Sequence, residues 1–167
     1  PNDRYPAAIT DTTTWLQREM ALPNGGYRAA LDADSEGVEG KYYTWTLEEI
    51  AAFLPADEAE IIAEFYGVTL SGNWEEEQTN IFYRPSDLAA VAAKIGLPAE
   101  VAAAKLNKAK KTLHDAQLLR IPPGADDKLI LQWNALLISG WTWCYRATAD
   151  EKYLRLATDL WHALNEQ

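Results

Sequence analysis

The chain has 167 residues, 48% of them hydrophobic, a formal net charge of −10 and one cysteine, Cys144. That is enough apolar material for a real core within a single domain, or for part of a larger one. The acidic balance excludes general affinity for nucleic-acid phosphates, no apolar run reaches a membrane span, and one cysteine makes no internal disulfide. The opening PNDRYPAAIT has neither the basic end nor the apolar centre of a secretory leader, so a cytoplasmic protein is expected.

In chain order, a first helix is expected from Pro6 to Ala21, burying Ile9, Trp15, Leu16 and Met20 and ended by Pro23-Asn24-Gly25-Gly26. Gly25–Trp45 then reads GGYRAALDADSEGVEGKYYTW. Asp32, Asp34, Glu36 and Glu39 stand there among glycines at 25, 26, 37 and 40, a charge density no buried segment tolerates. This stretch is read as a shaped acidic surface loop, and Lys41–Thr46 as a short strand leaning on it. Thr46-Leu47-Glu48-Glu49 is a capping box opening a helix to Leu54. A further helix carries Ile61, Ile62, Phe65 and Tyr66 and ends at Gly67.

Gly67–Gln78 is a second polar loop, Asn80–Arg84 a second short strand, and Pro85-Ser86-Asp87 starts a helix closed by Gly96. Pro98 opens a long helix to Leu119 with Val101, Leu106, Leu113 and Ala116 inward and the lysines from Lys94 to Lys111 mostly in solvent. After the rigid break IPPGA and the triplet Asp126-Asp127-Lys128 comes LILQWNALLISGWTWCYRAT, apolar on nearly every side. Such a helix is expected to be surrounded, with residues 129–145 the most buried of the chain. A turn at Thr148–Asp150 leads to a helix over Glu151–Asn165, giving an antiparallel pair. The class is all-α: helical hairpins with polar loops, in the manner of an (α/α) toroid.

The acidic residues carry the chemical hypotheses. Asp32-x-Asp34-x-Glu36-Gly37 begins like a calcium loop, but the bidentate position is Tyr43, so no metal site and no cofactor are expected. Paired carboxylates suit glycosidic-bond chemistry, one protonated and one charged, and Asp32, Asp34, Asp126 and Asp127 are the catalytic candidates. The competing reading is structural: Asp126 caps the following helix, Asp127 favours its dipole, and Asp32 and Asp34 bond amides of their own loop. Glu36, Glu39, Tyr43, Trp45, Lys128, Trp133 and Asn134 are the ligand-binding candidates, Trp133 as a stacking platform and Asn134 as a hydroxyl partner. Core filling competes for Trp133, whereas a buried Asn134 has to find partners.

GGYRAALDADSEGVEGKYYTWTLEEI, EFYGVTLSGNWE with NIFYRP, and R-x-x-P-x-x-DDK-x-x-x-x-WNALLISG together resemble successive motifs of one family. It is the thioredoxin domain-containing family that includes spermatogenesis-associated protein twenty. The resemblance implies an N-terminal thioredoxin-like domain followed by an (α/α) barrel similar to six-hairpin glycosidases and N-acylglucosamine 2-epimerases. Nothing in this chain resembles the thioredoxin-like domain, and such a barrel is much longer than this sequence. Residues 1–167 are therefore expected to be a fragment of the barrel, exposing apolar surface and self-associating. Ala135 stands where glycine is frequent in that family. The epimerases use histidines as acid–base groups, and His114 and His162 have no such spacing. A carbohydrate is the expected ligand, with glycosidase- or epimerase-like chemistry if the barrel is catalytic. A non-catalytic scaffold or protein-interaction module is the alternative.

Overall fold

The computed structural model describes residues 4–166, with the side chain of Arg4 left aside. Among these the chain is mostly helical: α1 (Arg4–Trp15), α2 (Leu47–Phe53), α3 (Ala56–Tyr66), α4 (Leu88–Ile95), α5 (Ala99–Gln117), α6 (Leu131–Thr148) and α7 (Glu151–Asn165). Four two-residue strands, β1 (Ala30–Leu31), β2 (Asp34–Ser35), β3 (Val38–Glu39) and β4 (Ala125–Asp126), make two antiparallel ladders, β1 with β4 and β2 with β3. The described residues form two compact units, the first running up to Asp32 and resuming at Gly124, the second of Ala33–Pro123.

In the first unit α1 runs on into a π-helical turn, Leu16–Met20. α6 and α7 are joined by a turn in which Ala149 takes the left-handed conformation (φ 56°). Asp150 then caps α7, accepting from the Lys152 amide at 3.0 Å. Trp141, Tyr153, Ala157 and Leu160 are the buried core here, with Ile9, Leu16, Tyr27 and Leu137 packed against it.

Burial of α6 departs from expectation. Only Asn134 and Trp141 are buried along it, while Leu131, Trp133, Leu136 and Trp143 are 64%, 53%, 64% and 63% exposed. An all-round apolar pattern states what every face of a helix needs, but α7 and α1 cover only part of the circumference. Trp161 on α7 is likewise 53% exposed.

The second unit packs α3, α4 and α5 around Ile50, Ile61, Ile62, Phe65, Val91, Leu106 and Leu113. The capping box forms as read: Thr46 Oγ1 accepts from the Glu49 amide and Glu49 Oε2 from the Thr46 amide, at 3.1 and 2.8 Å. Gly67 and Gly96 end α3 and α4 in left-handed conformations. Val101 is 40% exposed rather than inward. The lysines from Lys94 to Lys111 lie mostly in solvent as expected, and from there tie helices together, Lys108 to the buried Glu58 at 2.6 Å and Lys94 to Glu64 at 2.5 Å.

The hairpin of the acidic loop lies earlier than expected. β2 and β3 pair Asp34 with Glu39 and Ser35 with Val38, around Glu36 and Gly37, both at positive φ (55° and 77°). That is the turn geometry whose twist suits two adjacent strands. Residues 41–44 are a turn instead of a strand, because Gly40 O accepts from the amides of both Tyr43 and Thr44. Strand-like pairing there is reduced to a single bridge, Trp45 with Asn80.

Candidate functional site

In the first unit the early part of the acidic stretch is brought to the segment preceding α6. Ala30 pairs with Asp126 and Leu31 with Ala125, and the Asp32 amide donates to Gly124 O at 2.7 Å. The ladder opens a cleft of about 340 Å³ lined by Ala30, Leu31, Asp32, Gly124, Ala125 and Asp126. Two carboxylates far apart in sequence thus line one cleft. None of its lining residues is aromatic.

The surrounding charges divide their roles. Asp126 accepts from the Lys128 amide at 3.2 Å and from its Nζ at 3.0 Å. The Lys128 ammonium beside Asp126 holds its carboxyl below the ordinary carboxylate range, the amide adding to the effect. Asp126 is therefore charged at neutral pH and suited to accepting hydrogen bonds or balancing a positive group, not to donating a proton. It does not cap α6, whose N-cap is Ile130 with no side-chain bond; four residues without helical structure intervene. Asp127 forms an ion pair with Arg28 Nη1 at 3.2 Å.

Asn134 is 3% exposed and fully committed. Its Oδ1 accepts from the Tyr27 amide at 2.8 Å, and its Nδ2 donates to Tyr27 O at 3.0 Å and Ile130 O at 3.1 Å. This side chain fixes the approach to β1. The neighbouring Tyr27 ring meets Trp141 edge-on at 5.3 Å. Burial, with Asp159 adding, raises the pKa of that phenol. Trp133 stands exposed on α6 and Lys128 is exposed at its ion pair.

The other candidates, Asp34, Glu36, Glu39, Tyr43 and Trp45, belong to the second unit. Glu36 pairs with Lys41 at 2.7 Å, and Asp34 and Glu39 are exposed on the hairpin. Gly40 cannot take a side chain, since a Cβ there would lie 2.4 Å from the Trp74 ring and its φ is +69°. Ser35 Oγ donates to Ile121 O at 2.5 Å. Tyr43 and Trp45 line an aromatic cavity with Ile62, Tyr66, Phe82 and residues of α5.

Reading residues by charge and motif overlooked the group that holds this loop. The Arg120 guanidinium carbon lies over the Trp45 ring, 3.7 Å from its centroid. One of its nitrogens donates to the carbonyls of Lys41 (3.0 Å) and Thr44 (2.6 Å). Its other terminal nitrogen sits 3.3 Å from a Glu49 carboxylate oxygen. Arg120 is the arginine of the R-x-x-P pattern, which was the available signal. Among the described residues no three His, Cys, Asp or Glu side chains gather where they could hold a metal. Among the described residues no helix is long and apolar enough to cross a membrane.

No family model matches the chain. It is homologous to a segment of spermatogenesis-associated protein 20. Identity to the human protein is 27% over 87% of this chain and 21% of the relative; to the mouse protein it is 29% over 86% and 21%. An uncharacterised protein of Caenorhabditis elegans is 28% identical over 92% of this chain and 24% of its own length. The chain thus spans about a fifth of the length of the curated mammalian relatives it matches.

Proposed function

We propose that this chain is a segment of an (α/α) toroid within a protein related to spermatogenesis-associated protein 20, and that its Asp32–Asp126 cleft binds a carbohydrate. The observation carrying the reading is the pair of carboxylates that the β1–β4 ladder brings to one open cleft. Carboxylates accepting from sugar hydroxyls are a common means of holding a polyol, since charged acceptors make the stronger hydrogen bonds. Of the two carboxylates, Asp126 is the one that Lys128 holds charged, which suits it to accepting from hydroxyls. The toroid is supported by the α6–α7 hairpin and by the apolar side chains α6 leaves exposed, which further helices of a longer polypeptide or a second copy would cover.

A structural role for these loops is the second reading. It is favoured by the way Asp127, Asn134 and Lys128 are spent on neighbours within the unit. The two readings part under single substitutions. Asp32→Asn and Asp126→Asn are tested for binding to a panel of neutral oligosaccharides and for denaturant midpoint. Weakened binding at unchanged midpoint supports the cleft. A lowered midpoint with no oligosaccharide bound by the parent chain leaves the structural reading.

A further inference from the structure

The second unit holds a cavity that the carboxylate cleft does not involve. It measures about 190 Å³ and is walled by the rings of Tyr43, Trp45, Tyr66 and Phe82, with Ile62 and Leu113. Lys110, His114 and Gln117 of α5 complete it, spaced so that they share one helix face. Three features define what would fit.

Size comes first. A cavity of about 150 Å³ takes a benzene ring, so this one admits a single six-membered ring with a small substituent. The walls come second. Tyr66 and Phe82 are already stacked, 4.8 Å between centroids and 11° between planes, and offer a firm aromatic side. A pyranose carries a hydroxyl on most ring carbons, each needing a partner once withdrawn from water. Most of the wall here is aromatic ring and aliphatic side chain, and of the polar groups on α5 the Gln117 amide already donates to Tyr42 O at 3.2 Å, leaving Lys110 and His114. A flat apolar ring fits better, by stacked or edge-on contact.

Charge comes third. Of the eight lysines in the sequence, seven (Lys41, Lys94, Lys105, Lys108, Lys111, Lys128 and Lys152) form ion pairs with carboxylates. Lys110, at this cavity, has no carboxylate partner among the described residues. On a chain of net charge −10 a cation left without a counter-ion at the rim of an apolar cavity is a place for a ligand's anionic group. We propose that this cavity binds a monocyclic aromatic acid, its ring among Tyr43, Tyr66 and Phe82 and its carboxylate at Lys110.

The test uses the 167-residue chain with benzoate, its neutral counterpart benzamide, and glucuronate, followed by ligand-detected saturation-transfer NMR and calorimetry. Benzoate should bind saturably at millimolar concentration and benzamide more weakly. Lys110→Gln, at an exposed position, should weaken benzoate about fivefold, the effect of one ion pair at a surface. Tyr43→Ala should also weaken it by removing a wall, and Lys111→Gln, whose lysine pairs with Asp115, should leave it unchanged. Thermal midpoints of all variants check that the fold is kept. Absence of benzoate binding, equal affinity for benzamide, equal weakening by Lys110→Gln and Lys111→Gln, or binding of glucuronate alone would each overturn the proposal.

Discussion

At the scale of residues, buried amides and one guanidinium do more to shape the loops than the acidic side chains that draw the eye in the sequence. Asn134 and Asn80 work alike, each in its own unit. The Asn80 Oδ1 accepts from the Thr69 amide at 2.8 Å, while its Nδ2 donates to Thr69 O and Trp45 O, both at 3.1 Å. Replacing Asn134 by Leu leaves the Tyr27 amide and carbonyl without their partner and should cost about 2–4 kcal/mol in denaturant unfolding. An unchanged midpoint would show that Asn134 has no such role. Arg120→Lys should cost about 2 kcal/mol despite keeping the charge, because an ammonium neither stacks on Trp45 nor spans the same carbonyls. For Asp126 the expectation concerns pH. Its depressed pKa means the Lys128 contact favours the folded chain above the ordinary carboxylate pKa of about 3.9 and is lost as pH falls through the lower folded value. Carboxyl-carbon NMR should place its midpoint below 3.9, and Lys128→Gln should bring it back up while leaving Asp57, lowered chiefly by Lys105, where it is. The need for partners at Asn134 is legible in the sequence, since a polar residue in an apolar helix must be satisfied. Arg120 is marked there only by its R-x-x-P pattern, which does not say that its partners are the Trp45 ring, Glu49 and the Lys41 and Thr44 carbonyls.

At the scale of elements, the helices follow their local signals. The span Glu151–Asn165 is read from periodicity and forms as α7, and the capping box at Thr46 and the stop at Gly67 both operate. Thr46→Ala should therefore cost about 1 kcal/mol. The short strands are harder to read, because their pairing depends on backbone conformations that side chains only hint at. Glu36 in a left-handed conformation is unusual for a non-glycine residue, so the turn at Glu36-Gly37 escapes a search for the customary turn pairs. Tyr42, Tyr43 and Thr44 have strand-forming side chains, yet Gly40 folds them into a turn. The α6–α7 connection carries a similar liability. Ala149 occupies the left-handed position that glycine ordinarily fills after a helix. Ala149→Gly should raise stability by about 0.5–1 kcal/mol, relief of the Cβ clash outweighing the entropy of glycine. A fall in stability would mean that the turn is held by something other than its backbone geometry.

At the scale of the whole molecule, the helical class is legible because periodicity and capping are local, while the coverage of α6 is not. The sequence states that Leu131, Leu136 and Trp143 want apolar neighbours; only the structure reports how many they have. Side chains of that size left in water favour association. In sedimentation the chain should shift to larger species with concentration, and Leu136→Glu combined with Trp143→Glu should return it to monomer without loss of helix content. A monomer at every concentration would remove the argument that α6 seeks a partner. The central claim, that Asp32 and Asp126 form a binding cleft, is tested most directly by following backbone amide NMR signals while neutral oligosaccharides are added. The account predicts saturable shifts concentrated at Ala30–Asp32 and Gly124–Asp126, abolished by Asp126→Asn in a chain that stays folded. Shifts absent from these two segments, or persisting unchanged in the Asp126→Asn chain, would contradict it.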